Sequence, residues 1–175
     1  MRSSPTGATG QTRNGITMGD AYFYHLTRSP LDQALRLLLD RAIARGWRVG
    51  VRGLTAERLD WLDEKLWLGP DDGFLPHARA GGDRDAEQPV LLTTESHLPN
   101  RAACLMTIEG AEVTVEEAAA FERVCVLFDG DDGPGLTRAR DQWRALTRAG
   151  IAAQYWSEES GRWHMKAQSG AKGAT

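Results

Sequence analysis

Apolar residues recur with two periods along this chain. Residues 21–26 are mostly aromatic or apolar, as in a short buried strand. Ser29-Pro30-Leu31-Asp32 then predicts a helix start, with Ser29 as cap, Pro30 at the first helical position and Asp32 three residues after the cap. Leu31, Ala34, Leu35, Leu38 and Ala42 mark one helix face as far as Arg45-Gly46, where glycine ends the helix. Residues 47–51 alternate apolar and basic positions and read as a second strand. Strand, helix and strand within about thirty residues make a βαβ unit, which implies a parallel sheet covered by helices.

Thr55 predicts the cap of a second helix, on which Leu59, Leu62 and Leu66 recur at i, i+3 and i+7 and face the sheet. This helix is expected to stop at Leu68, because Gly69 can take the left-handed cap position and Pro70 cannot continue the hydrogen-bond ladder. Two large rings surround the exit: Trp67 in the last turn, and Phe74 just past the acidic turn Asp71-Asp72. Neither is safely inside a regular element, and two such rings near one surface point to a contact site. Residues 78–88 read as an exposed, mobile loop of Gly, Asp and Arg. Residues 89–94 and 103–108 are β-type runs, with a polar loop containing Pro99-Asn100 between them. A short acidic helix is expected over 115–120, and helix and strand patterns overlap in the apolar run 121–128. Beyond the glycine-rich segment 129–135, a helix is expected over 136–149, closed by Gly150. Strands at 151–156 and 162–166 around a turn at 157–161 complete the pattern.

With 175 residues, 41% of them hydrophobic and 26% charged, the chain fits one α/β domain with one core. That domain is expected over 18–166. Residues 1–17, rich in Ser, Thr and Gly, read as a disordered extension or as the product of a start codon upstream of Met18; 167–175 reads as a flexible tail. The net charge of −3 is too slight for whole-surface binding to nucleic acid, so any action near DNA would run through another protein. Cys104 and Cys125 lie in separate apolar runs and read as buried, reduced thiols of a cytoplasmic protein. No stretch approaches the ~18 apolar residues of a membrane span.

Most candidate chemistry fails on charge or spacing. The segment 129–135 lies between a strand-like run and a helix, where phosphate loops occur, but Asp129, Asp131 and Asp132 would repel an anion. The same aspartates lack the glutamate that completes a calcium loop. His25, His77, His97 and His164 are scattered and supply no zinc ligand set, although His25 and His77 stand near possible sites. There is no nucleophile elbow and no base beside either cysteine. No catalytic residue, cofactor or metal is therefore expected. The helix 136–149 is more informative. At ~100° per residue, Arg140, Arg144 and Arg148 share one stripe, and Leu136, Ala139, Trp143 and Leu146 share the adjoining one. That stripe fits either a solvated face beside core, or a site for an acidic peptide that ends in an apolar residue.

Several of these stretches together resemble the chi subunit family of bacterial DNA polymerase III. They are Phe23-Tyr24-His25-Leu26, Arg45-Gly46-Trp47-Arg48-Val49, Leu62-Asp63-Glu64-Lys65-Leu66-Trp67 with Phe74-Leu75-Pro76-His77, Pro89-Val90-Leu91-Leu92, and Arg140-Asp141-Gln142-Trp143-Arg144. The resemblance implies a mononucleotide-binding-like α/β fold without nucleotide binding, and a non-catalytic subunit of the nucleotidyltransferase complex. It implies one surface for the psi subunit of the clamp loader, at Trp67, Phe74, Leu75, Pro76 and His77. It implies another for the acidic C-terminal tail of single-stranded DNA-binding protein, at Arg140, Trp143 and Arg144. Leu136 stands where one example of the family has a lysine, and Arg138 or Arg148 is the candidate to compensate. The implied setting is the cytoplasmic, nucleoid-associated replisome. Two other readings stay open at this point: a nucleotide-dependent enzyme on a Rossmann-like fold, and an adaptor for a repair helicase that uses the Phe74 surface.

Overall fold

A computed structural model describes residues 11–13, 16–68, 75–130, 133–159 and 162–169. Strands β1 (Gln11–Arg13) and β2 (Ile16–Met18) pair antiparallel ahead of the main sheet. The sheet itself is built from β3 (Asp20–Leu26), β4 (Val49–Arg52), β5 (Ala78–Arg79), β6 (Val90–Thr93), β7 (Cys104–Ile108), β8 (Arg123–Asp129), β9 (Ala152–Glu159) and β10 (Arg162–Ser169). Its order is β10-β9-β3-β8-β7-β4-β6-β5, and every neighbouring pair is parallel except β9 with β10. The expected α/β fold with a mostly parallel sheet is the observed one. The strands of the first βαβ unit, β3 and β4, are parallel but not adjacent, because β8 and β7 insert between them.

Helices α1 (Leu31–Ala44) and α2 (Ala56–Trp67) cover one face; α3 (Val115–Ala120) and α4 (Gly133–Arg148) cover the other. Side-chain alternation along the strands feeds two cores. On β8, Cys125 and Leu127 join α1 and α2, while Val124, Val126 and Phe128 join α3 and α4. The overlap of patterns in 121–128 is thereby settled as strand from Arg123 onward: a central strand buried on both faces is largely apolar and shows no period. On α2 the predicted stripe Leu59, Leu62 and Leu66 is buried, each residue contributing about 1.5–3 kcal/mol. The Thr55 hydroxyl caps this helix by accepting from the Arg58 amide at 3.2 Å.

Local expectations change in three places. Helix α1 is capped at Pro30 without a side-chain bond, because the Ser29 hydroxyl is engaged elsewhere. Helix α4 begins at Gly133, three residues before the expected start; Pro134 is tolerated there because the first turn has no backbone acceptor for its missing N–H. The loop 78–88 contains the edge strand β5 and a 3-10 turn at Asp85–Glu87. The two cysteines are reduced and buried, as expected, and lie diagonally across β7 and β8, where Cys104 pairs with Arg123 and Cys125 with Met106. Their mutual hydrogen bond and burial push the Cys104 thiol well up. No described helix is long and apolar enough to cross a membrane.

Candidate functional site

Three places on this frame bear on function. The first is the switch point, where β3 feeds a helix on one face and β8 feeds a helix on the other. Open α/β sheets bind anionic ligands at such a crevice, against helix N-termini. Here the protein's own Glu158, at the end of β9, occupies the turn. Its Oε1 accepts from the amides of Thr27, Arg28 and Ser29 at 3.2, 3.0 and 3.0 Å, and its Oε2 accepts from the Ser29 hydroxyl at 2.5 Å. Burial alone would raise its pKa; the Ser29 hydroxyl and the three amides outweigh that and hold it down to about 2. The donors that would cradle a phosphate are thus already bonded to a carboxylate. Asp131 and Asp132 lie outside the described residues.

This arrangement sets a pH dependence. A carboxylate whose folded pKa is depressed adds stability that is complete above its ordinary value of 4.5 and is lost as pH falls toward 2. Glu158→Gln is expected to cost about 2 kcal/mol at pH 7 and to flatten the acid limb of the stability curve between those values. Urea denaturation of both proteins across that range checks it; parallel acid limbs would contradict the assignment.

The second place is the exit of α2. Trp67 is 54% exposed and Leu68 is 72% exposed, so an apolar step projects from the last turn. Leu75 and His77 lie behind it and are buried; Pro76 between them is half-buried. The His77 ring is fixed at both nitrogens: Nδ1 lies 2.7 Å from the Leu75 carbonyl oxygen, and Nε2 lies 3.0 Å from Asp63 Oδ1 on α2. The Trp67 and His77 ring centroids are 4.7 Å apart. His77 therefore supports the tryptophan and ties the returning chain to the helix, while Trp67 supplies the exposed surface. Phe74, with the Gly69 cap and the Asp71-Asp72 turn, lies outside the described residues.

The third place lies on the opposite face, where α4 meets the β9–β10 hairpin. An open depression of about 440 Å³ is lined by Arg140, Trp143, Arg144, Tyr155, Lys166 and Ala167. Trp143 forms the floor, edge-on to Phe23 at 5.4 Å and to Tyr155 at 6.1 Å. The Tyr155 hydroxyl meets His25 Nδ1 at 2.9 Å, and His25 stacks on Phe128 at 5.0 Å, so the floor is braced from below. Burial pushes the Tyr155 hydroxyl up, with Arg140 opposing in part, so it remains a neutral phenol at physiological pH. Arg140 and Arg144 are exposed at the rim; Arg144 also pairs with Asp141 at 3.2 Å, a surface contact that a stronger anion can displace.

Three of the four residues singled out on this helix are thus brought together, and the fourth is not: Arg148 is exposed but does not line the depression. Arg138 faces a different cleft, beside Thr114 and Gln142, and Leu136 packs into the core. Tyr155 and Lys166 escaped the sequence reading. Alternation along 151–157 assigns Tyr155 to the same face as Ala153, but nothing local says which helix covers that face. Chemically, the depression offers an apolar floor under a basic rim, which suits a carboxylate-rich segment carrying a terminal apolar side chain.

A family model described as DNA polymerase III chi subunit, HolC, matches residues 18–154. A protein of Rickettsia prowazekii (strain Madrid E), named probable DNA polymerase III subunit chi, is 22% identical over 111 residues, which cover 61% of this chain and 67% of the relative.

Proposed function

The chain belongs to the DNA polymerase III chi subunit family, and from that premise we propose that it is a non-catalytic adaptor with two docking surfaces on opposite sides of the sheet. One surface, built on Trp67 and the segment through His77, takes the psi subunit and so reaches the clamp loader. The other, the depression under Arg140, Trp143 and Arg144, takes the acidic C-terminal tail of single-stranded DNA-binding protein. The observation that carries this reading is the depression itself, which pairs a braced aromatic floor with a rim of cations. Family membership supports a role in DNA replication, in the cytoplasmic replisome, with DNA contacted through the partner. The switch-point carboxylate argues against a nucleotide-dependent enzyme on this fold, since Glu158 fills the anion cradle that such an enzyme would need.

Titration calorimetry with a synthetic acidic tail peptide tests the second surface. Binding is expected to weaken steeply as salt rises, because the rim contacts are exposed ion pairs. Affinity that is indifferent to salt would contradict a site read by Arg140 and Arg144.

A further inference from the structure

The sheet is wider than the helices that cover its α1 face. Helix α1 packs on β4 and β8, leaving β3, β9 and β10 to present aromatic side chains beside it. Tyr22, Tyr24, Trp156 and Trp163 form that wall, and between them and α1 lies a cavity of about 280 Å³. It is not closed at the end. Leu37 on α1, which lines its rim, is 42% exposed, and Met165, two residues along β10 from Trp163 and outside the lining, is 45% exposed, so the apolar surface continues past the cavity along β10.

The charge of this groove has one sign. Among the described residues its lining includes Arg41, Arg45 and Arg123 and no carboxylate. Asp20, opposite Arg123 in the register of β3 and β8, is buried and does not line it. Arg45 lies 4.3 Å over the Trp47 ring; Arg123 lies 4.1 Å from the Tyr22 ring and 5.2 Å from Trp47. Stacking occupies the flat faces of these guanidinium groups and leaves their N–H edges for an acceptor. Among the described residues, the buried Arg123 Nε has no hydrogen-bond partner.

We propose that this groove is a third docking surface, for a segment of a partner protein that sets an aliphatic or aromatic side chain against Tyr24, Trp156 and Trp163 and a carboxylate on Arg45 and Arg123. Length favours a polypeptide over a small molecule, since the apolar surface runs from Leu37 at the rim across the cavity and beyond it to Met165. Charge excludes the nearer occupants. Residues 1–10 and 170–175 carry Arg2 and Lys172 and no acid, and a second copy seated groove on groove would bring two arginine-lined surfaces face to face. Stacked bases are disfavoured because guanidinium groups already cover Tyr22 and Trp47.

The test is selection on the intact protein from a random phage-displayed library of peptides about twelve residues long. The selected peptides are then measured by fluorescence anisotropy, with oligothymidine as a second probe. A class of acidic peptides with Leu, Phe or Trp is expected whose affinity falls about tenfold or more with Arg45→Glu and with Leu37→Asp, and is unchanged with Arg140→Glu/Arg144→Glu. Leu37 is exposed, so its variant keeps the fold, checked by the melting temperature. The proposal is overturned if every selected acidic peptide is lost in the α4 variant and none in the groove variants. It is equally overturned if oligothymidine, and no peptide, depends on Arg45.

Discussion

Arg52→Met is expected to lower the stability of the domain by about 3 kcal/mol, the largest effect of any single substitution considered. Arg52 stands at the end of β4 and is only 7% exposed. Its guanidinium makes a two-pronged pair with Glu117, Nη1 to Oε1 at 2.9 Å and Nη2 to Oε2 at 2.8 Å, and donates to the carbonyl oxygens of Glu95, Ser96 and Glu112 at 3.3, 3.3 and 3.0 Å. Glu117 meanwhile completes the capping box of α3 with Thr114. One side chain thus joins a strand end, two loops and a helix cap. Methionine fills much of the volume but leaves the carbonyls and the carboxylate without their donor, which costs far more than the pair is worth in water. Burial would raise the Glu117 pKa, but Arg52 and Thr114 lower it; that part of the stability is therefore present above the usual carboxylate range and fades as pH falls through it. Equilibrium urea unfolding at pH 7 reads the loss directly, and a loss below about 1 kcal/mol would show that the network is not a structural tie.

The double variant Arg140→Glu/Arg144→Glu is expected to weaken the acidic tail peptide about a hundredfold, close to 3 kcal/mol, while leaving the melting temperature nearly unchanged. Two attractions become two repulsions at the rim of the depression. Both arginines are exposed, and the Arg144–Asp141 contact is a surface pair of little value to folding. Trp143→Ala is a poorer test because its ring also packs on Phe23 and Tyr155, so lost affinity and lost packing would be confounded. A change of less than about threefold in the double variant would remove the depression as the tail site.

Where local chemistry decides structure, the residues announce it. Thr55 with Leu59, Leu62 and Leu66 defined α2 because capping and a 3.6-residue period act within one element. The arginine and tryptophan stripes of α4 were legible for the same reason. What stayed hidden depends on which element lies beside which. Ser29 looks like a helix cap, but Glu158 arrives from the other end of the chain and takes its hydroxyl. Cys104 and Cys125 look unrelated until parallel pairing of β7 and β8 sets them on one face, two positions apart in register. Tyr155 and Lys166 join Arg140 only through the fold of the β9–β10 hairpin over α4, and no spacing in the sequence encodes that meeting. The aromatic groove beside α1 is hidden in the same way, since its rings come from β3, β9 and β10 and its arginines from α1 and β8.

The central claim is that two separate faces serve two partners. Its most direct test is a bridging experiment: psi protein immobilised on a resin, this protein added, and capture of single-stranded DNA-binding protein measured, with the Trp67→Ala and Arg140→Glu/Arg144→Glu proteins run alongside. The unmodified protein is expected to bridge the two. Trp67→Ala should be lost from the resin yet still bind the acidic tail in solution, and the double variant should stay on the resin yet capture nothing. If one variant abolishes both contacts while remaining folded, or if neither abolishes any, the two-surface account is contradicted.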